Sequence, residues 1–200
     1  VLSRNSLFPN QVRRYELTPE KIDCIIFGSK NYMPVLDRIQ EIAVRFHTYF
    51  YYTITAYGKD IEPGVPDIET SITTLLALSG IVGAQRVTWR YDPVLLTKDY
   101  TIARHFETFE YIASRLSGYI DRCIFSFVEM YKKHETNMPE LIPLKAEDMD
   151  EIARGLGTIA AKYGISIQTC GPEDNYTQYG VESSGCVTLD ILGRANSLQF

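Results

Sequence analysis

Short runs of β-branched and aromatic residues alternate along this chain with stretches in which apolar residues return every three or four positions. The runs at 22–29, 49–57, 87–91, 122–129 and 166–170 read as five strands. Between the first two, Val35, Leu36, Ile39, Ile42, Ala43 and Phe46 fall on one helical face, which predicts a helix over 33–45 with Pro34 in its first turn. Asp67 is a good N-cap for the next helix, whose face carries Ile68, Ile72, Leu75, Leu76 and Ser79 and which Gly80 or Gly83 can end. Ile102, Phe106, Phe109, Ala113 and Leu116 mark a third helix, and Met149, Ile152, Leu156, Ile159 and Tyr163 a fourth.

A helix between two strands forces them to run parallel, and repetition of that unit predicts an α/β fold in one domain over 1–200. Strands buried on both faces lack alternation, as 22–27 and 123–128 do. No Gly-rich phosphate loop of the GxGxxG or GxxxxGK type follows any strand, which counts against a nucleotide-binding Rossmann domain. The expected architecture is a partial, TIM-like (β/α) barrel with parallel strands. Ahead of it, 1–4 and 11–17, joined through Pro9 and Asn10, predict a short hairpin or two edge strands.

Composition narrows the setting. A chain of 200 residues that is 45% hydrophobic can build a full core. Its longest apolar stretches, such as 49–57, fall short of the roughly 20 residues of a spanning helix. The net charge is −5 and the 20 basic residues are spread evenly, so nucleic acid is a disfavoured partner and a small-molecule substrate the expected one. Cys24, Cys123, Cys170 and Cys186 form no CxxC pair, so the expectation is reduced thiols, no metal and a cytoplasmic location. Val1 is not a methionine and the first residues already read as strand, which predicts a piece of a longer protein, with an exposed sheet edge open to self-association.

In parallel α/β architectures ligands gather at the carboxyl ends of the strands. Charges there must meet a partner, water or a ligand, which singles out Lys30, Arg90, Asp92 and Glu129 as catalytic candidates. Ser29, Asn31, Thr55, Tyr57, Tyr131, Gln168 and Thr169 are candidate ligand-binding residues, with Thr53 and Ser126 beside them. The competing reading is a ring of salt bridges closing the mouth of the barrel. A Schiff-base role for Lys30 would need apolar surroundings. A metal site from Asp92, Glu129 and a histidine would need His47, His105 or His134, which the pattern does not bring together. The loop at 58–66 is either a lid or a rigid connection pinned by Pro63 and Pro66, and Tyr49, Tyr51, Tyr52 and Tyr57 read as wall or core.

The segments IDCIIFGSKN (22–31), TITAYGKDIEPGV (53–65), WRYDP (89–93), RCIFSFVE (122–129) and YGISIQTC (163–170), with Ser184, Gly185 and Cys186, resemble an uncharacterised bacterial family, domain of unknown function 1848, over nearly the whole chain. That family is similar to radical S-adenosylmethionine enzymes. The resemblance implies a C-terminal cysteine cluster holding a [4Fe-4S] cluster in the full-length protein, with this chain as the barrel and substrate pocket and no cofactor of its own. It also implies a bulkier aromatic residue where this chain has Gly28. The alternatives are a non-catalytic barrel domain holding a small anion through Arg90 and Lys30, and a divalent-metal-dependent hydrolase or isomerase using Asp92 and Glu129.

Overall fold

The computed structural model describes residues 2–4, 7, 8, 10, 12–129, 138, 140–170 and 175–199. Strands β1 (Leu2–Arg4) and β2 (Val12–Arg14) pair antiparallel, which is the hairpin expected at the start. Six strands follow in one parallel sheet whose spatial order is the chain order: β3 (Ile25–Ser29), β4 (Thr48–Thr53), β5 (Val87–Val94), β6 (Arg122–Phe127), β7 (Ser166–Thr169) and β8 (Val181–Ser183). Between them run α1 (Leu36–Ala43), α2 (Ile68–Val82), α3 (Ile102–Leu116) and α4 (Ala146–Lys162), and α5 (Leu189–Asn196) follows β8. Strands β3 and β8 are the two edges, so the sheet is open and the fold is a partial (β/α) barrel, as the alternation of periods predicts.

The sheet has two unlike faces. Phe50, Tyr52, Trp89, Tyr91, Cys123, Phe125, Ile167 and Val181 join the main core with the apolar faces of α1 to α4. Alternate residues point the other way, where Tyr49, Tyr51 and Ile124 form a smaller cluster with Ile191 and Leu192 of α5. Trp89 shows why the outer face is rigid: it is fully buried, stacked 4.6 Å from the Phe109 ring, and its Nε1–H donates to Ile54 O at 2.9 Å. Burial of each such side chain contributes about 1.5–3 kcal/mol.

Local signals place the elements. Asp67 caps α2 by accepting from Thr70 N at 2.8 Å, and Gly83, at φ +91°, ends it, where a side chain would be strained. The helix expected from residue 33 opens as a 3-10 turn, Met33–Val35, with Pro34 in the first turn, where its missing N–H costs nothing. Strand β4 stops at Thr53, although apolar character continues to Tyr57, and β5 runs past Tyr91 to Val94 with a shift in register against β6. The sixth strand and the last helix were not expected. Three residues carry no readable period, and α5 buries only one face, against the second apolar cluster. No helix among the described residues is long and apolar enough to cross a membrane.

Candidate functional site

Register assigns the inner face row by row. Gly28, Tyr51, Thr88 and Arg122 lie side by side in one row, and Thr53, Arg90, Ile124, Gln168 and Glu182 in the next row toward the carboxyl ends. A Cβ at Gly28 would meet nothing within 4 Å, so the surface over β3 is open where the family pattern led us to expect an aromatic ring.

Along the carboxyl ends the polar side chains bridge neighbouring elements. Lys30 Nζ donates to Glu62 Oε1, whose other oxygen accepts from Thr55 Oγ1 at 3.1 Å, so one carboxylate from the 58–66 loop ties β3 to the end of β4. Asp92 does the same between β5 and β6, accepting from Arg90 Nη2 with one oxygen and from Ser126 Oγ with the other. Gln168 Nε2 donates to Ser184 Oγ at 3.1 Å and Gly185 O at 3.3 Å, linking β7 to the segment after β8. Side-chain exposure is 31% at Arg90 and 15% at Asp92, which sets this pair between a surface ion pair worth almost nothing and a buried one whose rupture costs several kcal/mol.

Two cationic donors are left over. Arg90 Nε and Arg122 Nη1 are both buried and have no hydrogen-bond acceptor among the described residues. A buried donor without an acceptor costs about 1–3 kcal/mol. Burial pushes the Tyr51 hydroxyl well above its ordinary value, Tyr49 adds to that, and the charges of Arg122 and Arg90 act in the opposite direction. Arg122 was overlooked because it stands at the start of its strand, at the far end from the expected rim. The signal was present in the alternation of Arg122, Ile124 and Ser126 against Cys123, Phe125 and Phe127.

Other candidates lie apart from this surface. Ser29 and Asn31 are used in a turn: Ser29 Oγ donates to Asn31 O and accepts from Asn31 N, both at 3.0 Å. Tyr57 is buried, donates to Pro93 O at 2.7 Å and accepts from Leu95 N at 2.8 Å. Thr169 shares the helix-facing side of β7 with Ile167, and Glu129 is exposed two residues past β6. Tyr131 and His134 lie outside the described residues. His47 precedes β4, at the amino ends of the strands, while His105 is buried on the helix side, within 2.7 Å of Tyr91 Oη and 2.8 Å of Leu95 O. No group of three metal-ligating side chains occurs among the described residues.

The loop at 58–66 is pinned rather than free. Gly58 N donates to Tyr100 Oη at 2.8 Å, that hydroxyl donates to Asp60 Oδ1 at 2.7 Å, and Lys59 Nζ donates to Val65 O. Beneath the loop is a cavity of about 420 Å³ lined by Tyr57, Lys59, Glu62, Asp67 and Arg104 among others. The cysteines correct the expectation of four free thiols. Cys170 and Cys186 are joined, because adjacent parallel strands bring together residues 16 apart in sequence, while Cys24 and Cys123 remain free.

Six parallel strands in one open sheet, alternating with helices, make this chain a partial (β/α) barrel. The chain belongs to the family described as domain of unknown function (DUF1848), whose model matches residues 1–199. None of the curated proteins searched matches it. Among solved structures it is similar to an endocellulase from Pyrococcus horikoshii in complex with cellotetraose, at 12% identity and a TM-score of 0.46 over 76% of this chain and 51% of that one. The chain therefore spans about half the length of that enzyme. A likeness of that size says nothing about this chain's chemistry.

Proposed function

We propose that this chain binds a small anionic molecule on the inner face of its open sheet, with Arg90 as anchor and Arg122 as a second cation one row away. The observation that carries this reading is the pair of buried guanidinium donors, Arg90 Nε and Arg122 Nη1, without an acceptor among the described residues. A carboxylate or phosphate accepts from such donors in charge-assisted bonds, and Asp92 with Ser126 already fixes the Arg90 head, so little side-chain freedom is lost on binding. Lys30 is committed to Glu62 and is not part of the anchor.

The family resemblance adds an iron–sulfur enzyme to this reading, in which the anion is the substrate and the chain supplies the barrel around it, in the cytoplasm. A [4Fe-4S] cluster takes converging thiolates. The cysteines of this chain do not fit that requirement: Cys123 is wholly buried on the helix-facing side, Cys24 packs at the second cluster, and Cys170 and Cys186 are joined to each other. No residue described here is assigned to a cluster or to S-adenosylmethionine. Self-association belongs to the same reading, through edge strand β3, where Ile26 is exposed.

Thermal melting with inorganic phosphate and with citrate tests the anion site. At a hundredfold excess over Kd a bound ligand adds about 2.7 kcal/mol, which raises Tm by about 5–10 °C for a chain of this size. The rise should vanish in Arg90→Gln and shrink in Arg122→Gln, each measured against its own ligand-free melt. If neither anion moves the wild-type Tm, the anion site is refuted.

A further inference from the structure

Cys170 directly follows β7, and Cys186 lies three residues past β8, the neighbouring strand. Their Cα atoms are 5.0 Å apart, inside the span of about 4.4–6.8 Å that a disulfide bridges without backbone movement. Both cysteines are half-buried and so remain within reach of solvent. The chain beyond Cys186 then turns back across the inner face. Ile191 and Leu192 of α5 pack on the cluster of Tyr49, Tyr51 and Ile124, and Asn196 Nδ2 donates to Thr48 O at 3.3 Å. At the near end Tyr51 Oη donates to Cys186 O, and Gln168 holds Ser184 and Gly185. Residues 184–196 therefore form a strap over the inner face, fastened at the far end by α5 and at the near end by the cysteine pair.

We propose that Cys170 and Cys186 are a reversible dithiol–disulfide clamp that fastens and releases this strap. The inference deepens the proposed anion site, and rests on it only for the consequence that access to Arg90 and Arg122 changes with the state of the clamp. Closure needs a low-molecular-weight disulfide. One cysteine thiolate attacks a sulfur of that molecule, forming a mixed disulfide and releasing one small thiol; the second cysteine thiolate then attacks the protein sulfur and releases the other. The two protons lost by the cysteines end on the two thiols released, and an excess of small thiol runs the exchange backwards. The other cysteines are poorly placed to compete. Cys123 is wholly buried, and burial raises both its thiol and that of Cys24 above the ordinary value, leaving less thiolate.

The chain is equilibrated with oxidised glutathione or with dithiothreitol, then denatured, alkylated with iodoacetamide and weighed. The oxidised sample should take up two alkyl groups, on Cys24 and Cys123, and the reduced sample all four. Four in both samples overturns the clamp. Limited trypsin digestion at Arg194 of the folded chain should be several-fold faster after reduction, and Cys170→Ser/Cys186→Ser should be cut at one rate in both conditions. Cys186→Ser, which keeps the backbone acceptor for Tyr51, serves if the double variant does not fold. Equal cleavage of oxidised and reduced wild type overturns the strap. Phosphate affinity in the two states separates the two ideas: a several-fold difference, absent in the double variant, supports both, whereas no binding in either state refutes the anion site and leaves the clamp to be judged by alkylation and cleavage.

Discussion

Replacing Asp92 with asparagine should move stability and anion binding in opposite directions. In the wild type one carboxylate oxygen holds Arg90 and the other accepts from Ser126. Asparagine keeps an acceptor of similar shape and removes the charge. A contact pair at an effective dielectric constant near 20 carries about 4 kcal/mol of Coulomb attraction at 4 Å. Much of that is offset by the cost of drying the two groups, and Arg90 is still 31% exposed, so the net loss should be about 1–2 kcal/mol. For a chain of this length that is a Tm lower by about 2–8 °C. With its counter-charge gone, Arg90 becomes a stronger anchor, and regaining even 1 kcal/mol in the complex means about a fivefold lower Kd for phosphate. Thermal melting and isothermal titration of the same two proteins give both numbers. An unchanged Tm would show that Asp92 does not hold Arg90, and weaker phosphate binding would show that Asp92 serves the anion by fixing the Arg90 head rather than by competing with it, which refutes the predicted gain.

Gly157→Ala should lower Tm by the equivalent of about 1–3 kcal/mol, because its Cβ would stand 2.5 Å from the backbone oxygen of Tyr179, which cannot swing aside. Gly155→Ala should cost less: its Cβ meets only the Phe106 ring, a half-buried side chain that can rotate away, and alanine favours the helix by about 1 kcal/mol. Burial holds the His105 imidazole below its ordinary value, so its neutral form is the folded one. Its contribution to stability is complete above about pH 6.5 and declines as pH falls from there toward the folded-state value, because the unfolded chain takes up the proton first. Tm measured against pH should show that slope, and His105→Asn should flatten it. Trp89→Phe should cost about 1–3 kcal/mol in denaturant unfolding, since it leaves Ile54 O without its donor.

The frame of the molecule was legible because short β-rich apolar runs alternate along the chain with stretches of helical periodicity. Ile72, Leu75 and Ser79 of α2 and Phe109, Ala113 and Leu116 of α3 are buried as their spacing requires, and Asp67 caps as its residue type requires. The charges at the strand ends were legible as groups in need of partners, and Lys30 with Glu62 and Arg90 with Asp92 have them. What could not be read was which partner each would find. Glu62 comes from a loop, and nothing in its spacing points back to Lys30, 32 residues earlier. The pairing of Cys170 with Cys186 depends on β8, a three-residue strand whose place beside β7 is set by tertiary packing rather than by its own composition.

The single tryptophan has a use that follows from where it sits. Trp89 is sealed between the central strands and α3, on the opposite side of the sheet from Arg122 and the cysteine pair. Its emission should be blue-shifted in the native chain, indifferent to phosphate or to thiol reagents, and red-shifted only when the middle of the sheet comes apart. The protein thus carries an internal fluorophore that reports global unfolding independently of events at the open face, so every variant above that keeps Trp89 can be scored for folding without interference from phosphate or thiol reagents.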